Sequence, residues 1–183
     1  MKYVFLFFAF LLWGCKKNVS ADMECFLSAD VLIPKHKMIN CSDSVDMVIG
    51  EQDKIYIVNF IEEYGCSKCK ISIMSELYRN KIQNKETVLL SIIQSEKTNI
   101  EEKQNIVKSV GLCGFVYLDT CNAFLEANPQ IPDNEMFHSF VINKEGKVLM
   151  VGNPFQNKKM EALFKKVIAN EQQKQKTKTP AEG

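Results

Sequence analysis

Hydrophobic and polar residues follow two distinct patterns along the middle of the chain. Nearly unbroken apolar runs at residues 55–60, 87–93 and 115–118 predict buried strands. Between these runs, apolar residues recur at helical spacing, which predicts a helix over residues 67–83 and a second helix beginning at Asn99. This β-α-β-α-β order predicts an α/β fold with a mostly parallel sheet and helices on its faces.

Three patterns complete this core. Gly111 is expected to cap the second helix. Residues 139–142 and 148–151 flank Glu145-Gly146, which marks a turn and predicts an antiparallel hairpin at one edge of the sheet. A final amphipathic helix is predicted by apolar residues at i, i+3, i+4, i+7 and i+8, namely Met160, Leu163, Phe164, Val167 and Ile168.

The segments on either side of the core, residues 55–169, are less regular. Residues 24–54 predict two or three extra N-terminal strands, at 31–34, at 37–41 as its hairpin partner, and at 45–49. Residues 24–54 and the core, residues 55–169, together form one predicted domain, 24–169. From residue 170 the chain is polar and low in complexity, which predicts a disordered tail over 170–183.

The first residues indicate export. Lys2 precedes an apolar run at residues 3–13, which is too short to span a bilayer and is typical of a secretory signal. The end of this run, Leu12-Trp13-Gly14-Cys15, resembles a bacterial lipobox. The resemblance implies a lipoprotein signal peptide over 1–14, a lipid on Cys15 that anchors the chain to a membrane, and a tether over 15–23. An ordinary signal with a chance cysteine is the alternative.

Charge and cysteine content narrow the function classes. The 23 basic residues include Lys2, and all 22 acidic residues follow the leader, so the remaining chain is neutral. This balance argues against nucleic acid as a partner, because nucleic-acid binding needs a concentrated basic surface. Export places the domain where disulfides persist. Six cysteines follow Cys15, and the sequence does not decide whether Cys25 and Cys41 pair.

Cys66 and Cys69 carry the candidate chemistry, because they follow a buried strand and open a predicted helix. Unpaired N–H groups and the helix dipole favour a thiolate on Cys66, and Lys68 and Lys70 add positive charge. Cys69 lies one turn deeper, where its sulfur could attack a mixed disulfide. The pair therefore predicts thiol–disulfide exchange with Cys66 as nucleophile and Cys69 as resolving residue, without a cofactor.

Glu62 and Glu63 flank the cysteine turn. Either could act as a proton acceptor for Cys69 and tune its chemistry. The other interpretation is that both are solvated turn residues.

Two stretches resemble a known family. Val58-Asn59-Phe60 followed by Cys66-Ser67-Lys68-Cys69, and the hairpin over residues 140–148, are similar to the thioredoxin superfamily, and more narrowly to exported, membrane-tethered proteins of the TlpA/ResA kind. The resemblance implies a thioredoxin-like fold with a central mixed sheet and a redox-active Cys66–Cys69 disulfide. It also implies envelope partners, namely protein thiols or disulfides and an upstream redox protein, at the periplasmic or cell-surface side of a membrane.

The chain departs from that family at three positions. Gly65 stands where the family has tryptophan before the first cysteine. No proline lies near Phe137, where the family has a cis-proline, so we expect a trans peptide or a rearranged loop. Asn59 falls near the buried acid of thioredoxin and cannot titrate.

Other functions remain open for the same cysteines. Structural zinc would need a second close cysteine pair, which the sequence lacks. Cys66, Cys69 and His138 could form a copper site, as in a metallochaperone, similar to thioredoxin-like proteins of the Sco kind, whose cysteines are spaced differently. An inert disulfide and a non-catalytic binding module are the remaining alternatives.

Overall fold

A computed structural model describes residues 19–42, 54–63, 67–79, 87–112 and 114–178. Within these ranges the strands are β1 (Ile39–Asn40), β2 (Ile55–Ile61), β3 (Thr87–Gln94), β4 (Phe115–Asp119), β5 (Ser139–Ile142) and β6 (Val148–Val151). The helices in the same ranges are α1 (Val19–Leu27), α2 (Ser67–Arg79), α3 (Ile100–Val110), α4 (Ala123–Ala127) and α5 (Lys158–Lys178).

The strands form one mixed sheet in the order β1-β4-β3-β2-β5-β6. β2 is parallel to β3, and β3 is parallel to β4, as the alternating pattern predicts. The hairpin strands β5 and β6 are antiparallel, and β5 pairs antiparallel with β2. The predicted β-α-β-α-β core with a closing hairpin is therefore confirmed.

Both faces of β2 are covered, which explains its nearly unbroken apolar sequence. Every residue of this strand is buried. Tyr56, Val58 and Phe60 pack in the cluster that includes residues of α1 and α4. Ile57 points to the opposite face and packs with residues of α2 and α5. Alternate residues of one central strand thus contribute to two separate cores.

Gly111 ends α3 as predicted. Its φ of 57° lies in the left-handed region, which glycine adopts without a Cβ penalty. Its N–H group bonds to the carbonyls of Lys108 and Val107, so carbonyls in the last turn of α3 have partners.

The predicted N-terminal strands are largely wrong. Residues 19–27, assigned in part to a tether, form α1, whose Phe26 is fully buried. Residues 31–34 are not a strand, because the chain makes only a single bridge to the hairpin, between Asp30 and Lys147. Ile39 and Asn40 do form a strand, but they extend the sheet beside β4 rather than pairing with 31–34. The strand predicted at 45–49 lies outside the described residues.

The prediction of a disordered tail from residue 170 is wrong for residues 170–178, which are helical. α5 continues to Lys178 because Glu171 is buried and accepts a hydrogen bond from Asn143 Nδ2 at 3.1 Å, at the turn between β5 and β6. A polar helix is thereby attached to the core by a polar contact. Among the helices of the described ranges, none combines the length and the apolarity needed to cross a membrane.

Candidate functional site

The first turn of α2 carries the candidate chemistry. β2 ends at Ile61 in the centre of the sheet, and α2 begins at Ser67, as the spacing predicts. Cys69 is exposed, lies at the third residue of the helix and is disulfide-bonded. Cys66, Gly65 and the side chain of Lys68 lie outside the described part of the chain, so the predicted Cys66–Cys69 pairing stays a prediction.

Lys70 joins this first turn to the segment before β5. Its Nζ lies 3.1 Å from Glu135 Oε1, in the short 3-10 turn Glu135–Phe137. Both side chains are substantially exposed, so we expect a modest stabilisation of about 0.2–1 kcal/mol. The carboxylate offsets part of the positive charge that the sequence places near the cysteines. No pattern in the sequence singles out Glu135, and its ion pair with Lys70 becomes evident only in the fold.

Asn59 lies at the centre of a polar cluster that connects β2 with α2 and β5. It is 3% exposed, and its Oδ1 accepts hydrogen bonds from Tyr78 Oη at 3.3 Å and Ser139 Oγ at 2.9 Å. Its Nδ2 has no hydrogen-bond partner among the described residues. The position assigned to the family's buried acid is thus occupied by a neutral amide that is held by hydroxyl groups from α2 and β5.

His138 lies beside Glu62. Its side chain is buried at 8% exposure, and its Nδ1 is 3.8 Å from Glu62 Oε1. Burial lowers the pKa of His138, because removal from water penalises the charged imidazolium. The carboxylates of Glu62 and Glu135 oppose this effect and raise the pKa, whereas the charge of Lys70 lowers it. The net direction is downward, so the imidazole is neutral at neutral pH.

The two candidate glutamates have different surroundings. Glu62 faces His138, whereas Glu63 Oε1 accepts a hydrogen bond from Asn99 Nδ2 at 3.2 Å. The Glu63 backbone N–H is 3.4 Å from Gln94 Oε1. Glu62 therefore belongs to the candidate site, and Glu63 contacts the segment that precedes α3.

A cavity of about 220 Å³ connects these groups to α2. Asn59, His138 and Ser139 line it from the sheet side, and Lys70 and Ile73 line it from the helix. The volume is smaller than the roughly 300–1,000 Å³ of typical small-molecule sites. Space of this size suits water or one side chain rather than a large cofactor.

The other described cysteines are free thiols. Cys25 and Cys121 are exposed, and Cys41 is partly buried. Cys25 and Cys41 are therefore unpaired, which answers the question that the sequence leaves open. Burial raises the pKa of Cys41, while a hydrogen bond with Gln104 and the charge of Lys108 act in the opposite direction. Cys15 and Cys113 lie outside the described residues.

Two further expectations concern the backbone and metals. The described residues contain no cis peptide bond, so the expected trans geometry near Phe137 is confirmed. In the same ranges, no group of three His, Cys, Asp or Glu side chains is placed to hold a metal ion. Cys66, one member of the alternative copper set with Cys69 and His138, is not among these residues.

Comparisons with known proteins define the fold class. No protein-family model and no curated protein matches the chain. An Aquifex aeolicus VF5 protein to which electron transfer has been attributed matches with a TM-score of 0.56 and 13% identity, over 79% of this chain and 98% of that one. A domain of a possible thiol-disulfide isomerase from Cytophaga hutchinsonii gives a TM-score of 0.51 and 17% identity, over 78% and 91%. StoA from Bacillus subtilis gives 0.47 and 19%, over 68% and 87%.

The chain has a thioredoxin-like fold. The mixed sheet, its flanking helices and the match to solved structures together confirm the fold class predicted from the sequence. Identities of 13–17% establish fold alone, so the activity must be argued from this chain's own residues.

Proposed function

We propose that the protein is a lipid-anchored thiol–disulfide oxidoreductase of the cell envelope that exchanges disulfides through Cys66 and Cys69. One observation carries the proposal: Cys69 is disulfide-bonded in the first turn of a helix that follows the central strand of a thioredoxin-like sheet. We propose Cys66 as its disulfide partner. Cys66 is the residue before Ser67, where free N–H groups and the helix dipole stabilise a thiolate.

The exchange is balanced by the two thiols and the substrate alone. The Cys66 thiolate attacks a substrate disulfide, forms a mixed disulfide and releases one substrate thiolate. Cys69 then attacks Cys66, which forms the Cys66–Cys69 disulfide and releases the second substrate thiol. The substrate gains two electrons that the cysteine pair loses, and an upstream dithiol of the envelope restores the reduced pair. The reverse sequence oxidises a substrate dithiol.

Three variants test this proposal in a protein-disulfide reduction assay with dithiothreitol as electron donor. Cys66→Ser should abolish turnover, whereas Cys69→Ser should accumulate a mixed disulfide with the substrate. Cys25→Ser, at an exposed free thiol on α1, should retain wild-type turnover and serves as the matched control. Wild-type protein without turnover, or a peptide map in which Cys69 pairs with a cysteine other than Cys66, would contradict the proposal.

The anchor is tested separately from the chemistry. Mature protein from a bacterial host should carry diacylglycerol on Cys15 and should fractionate with membranes. Cys15→Ala should release the protein into the soluble fraction with its redox activity unchanged. Mature wild-type protein without lipid would remove the anchor from the proposal and leave the exchange chemistry intact.

A further inference from the structure

Exposed apolar side chains are concentrated near the start of the described chain. Among the described residues, six large apolar side chains are exposed, and three of them lie between residues 19 and 32, namely Val19, Leu27 and Leu32. Leu32 is the most exposed of the six, at 65%. Single exposed leucines are ordinary on protein surfaces, but a local concentration marks a surface that contacts a partner or a membrane.

Leu32 is held in its exposed position by a buried side chain. Asn128 is 1% exposed, and its Oδ1 accepts a hydrogen bond from the Leu32 N–H at 2.8 Å. Its Nδ2 donates to the Leu32 carbonyl, also at 2.8 Å. The preceding residue, Val31, is buried in the same core cluster as Phe26. The backbone of Leu32 is therefore fixed, and its side chain is presented to the exterior by ordered neighbours.

A basic turn follows Leu32. The 3-10 turn Lys35–Lys37 has the sequence Lys-His-Lys, and Lys37 is exposed. Met38, directly after the turn, is buried in the cluster that also contains Phe26 of α1. The turn, residues 31–34 and α1 therefore cover the same face of the sheet. Their outward side chains Leu27, Leu32, Lys35 and Lys37 form what we call the N-terminal surface.

The positive charge of the N-terminal surface lies at the turn. Residues 31–42 contain two lysines and no acid, whereas residues 19–30 contain Asp22, Glu24 and Asp30. Lys16 and Lys17 precede α1. Attraction to anionic lipid therefore comes from the turn and from the residues next to Cys15, and the exposed leucine lies between these two basic positions.

The N-terminal surface also lies on the side of the domain that is connected to the proposed lipid. Val19, the first residue of α1, is only four positions after Cys15. α2, which carries Cys69, packs on the opposite face of the sheet through Tyr78. A bilayer that holds the lipid would therefore meet the α1 side of the sheet first.

We propose that the N-terminal surface contacts the head-group region of an anionic bilayer, with the Leu32 side chain inserted and Lys37 beside lipid phosphates. This inference rests on the lipid anchor of the proposed function. So few contacts do not give stable attachment by themselves, so the surface orients a domain that the lipid already holds. In this orientation Cys69 lies on the side of the sheet that faces away from the bilayer, where soluble segments of other proteins can reach it.

Fluorescence quenching by lipid tests this contact. Lipidated Cys25→Ser protein is labelled with bimane at Cys121 and placed in vesicles of phosphatidylcholine and phosphatidylglycerol that contain nitroxide-labelled lipid. Cys121 is an exposed free thiol whose Sγ lies 3.7 Å from the Lys37 carbonyl oxygen, so the label reports on the turn. A second protein carries Glu76→Cys, at an exposed position of α2, with Cys25 and Cys121 replaced by serine. Its label reports on the opposite side of the sheet.

The lipid should quench the Cys121 label more strongly than the label on α2. Leu32→Asn should lower the ratio of docked to undocked protein on the order of tenfold, because transfer of one leucine side chain out of water is lost. Leu163→Asn is the matched control, since Leu163 is 46% exposed on α5, which packs on the opposite face. It should leave the quenching unchanged.

The lysine contribution is tested in the same assay. Lys37→Gln should lower the docked ratio about fivefold in the anionic vesicles, and it should have no effect in vesicles of phosphatidylcholine alone. Lys158→Gln, at an exposed lysine at the start of α5, is the control and should behave as wild type in both.

Equal quenching of the two labels would overturn the inference, and so would quenching at Cys121 that persists in Leu32→Asn. An unquenched Cys121 label would also overturn it and would leave the N-terminal surface to a protein partner. Mass spectrometry of the same samples separates these results from a failure of the proposed function. Protein that carries diacylglycerol on Cys15 but does not dock refutes the inference alone, whereas protein without the lipid refutes the anchor and the inference with it.

Discussion

Phe26 and Phe140 meet edge to face, with ring centroids 5.1 Å apart and ring planes at 80°. Both side chains are fully buried. α1 is therefore part of the core, because its single buried aromatic ring packs against a strand of the central sheet. Removal of this ring tests how much the N-terminal helix contributes.

Phe26→Ala should lower the free energy of unfolding by about 3–5 kcal/mol, because it deletes a buried ring and leaves a cavity. Urea denaturation monitored by circular dichroism measures the change. Leu27→Ala is the matched control, since Leu27 is 38% exposed on the same helix and should change stability by less than about 0.5 kcal/mol. Equal effects of the two substitutions would show that α1 is not specifically docked through Phe26.

The stability of the protein should fall in acid partly through His138. Burial holds its folded-state pKa below the ordinary value of 6.5, so the unfolded chain binds the proton first as the pH falls. The contribution of neutral His138 to the free energy of unfolding is therefore complete above about pH 6.5. It is lost as the pH falls through the folded-state pKa. The difference in melting temperature between pH 7.5 and 5 should be smaller in His138→Gln than in wild type.

His36→Gln provides the reference for this comparison, because His36 is exposed. It should retain the wild-type dependence of melting temperature on pH. If His138→Gln also retains that dependence, the protonation of His138 is not coupled to folding.

The described cysteines should react with iodoacetamide at distinct rates. At pH 8, Cys25 and Cys121 should be labelled first, because both are exposed and free. Cys41 should react more slowly, because burial raises its pKa and limits access of the reagent. Cys69 should be labelled only after reduction of its disulfide. Mass mapping at timed intervals gives the order, and labelling of Cys69 in oxidised protein would contradict it.

Glu135 should moderate the reduction potential of the proposed cysteine pair. Glu135→Gln removes the carboxylate 3.1 Å from Lys70 Nζ, so the lysine charge should stabilise the thiolate form more strongly. We expect the pair to become more oxidising by about 5–20 mV, since an exposed ion pair contributes about 0.2–1 kcal/mol and 1.4 kcal/mol corresponds to about 30 mV. Equilibration with glutathione buffers measures the potential.

Glu126→Gln is the control for this shift, because Glu126 is an exposed acid on α4, which packs on the opposite face of the sheet. It should leave the potential unchanged. A Glu135→Gln protein that becomes more reducing would reverse the sign and refute the electrostatic argument.

The sequence predicts the core well because burial leaves a local signal. β2 is buried on both faces and is therefore apolar throughout, and the Gly111 cap follows from backbone geometry that few other residues adopt. α1 leaves no comparable signal, since Phe26 is its one buried residue and its partner Phe140 is distant in sequence.

The candidate site is predicted only in part, for a related reason. The sequence identifies Cys69, His138 and Glu62 separately, through their spacing and position. The contact between His138 and Glu62 depends on the pairing of β2 with β5, and the ion pair of Lys70 depends on the turn that carries Glu135. Contacts of this kind are set by strand register and helix packing, which local patterns do not encode.

The start of α1 limits how far the domain could move from a membrane. Only Lys16, Lys17 and Asn18 separate Cys15 from Val19, the first residue of α1. The four Cα-to-Cα steps from Cys15 to Val19 span at most about 14 Å when the chain is fully extended. With the proposed lipid on Cys15, the folded domain would stay at the bilayer surface and would meet its partners by lateral diffusion. Its natural clients would then be other surface-bound proteins, or newly exported chains that still emerge from the membrane.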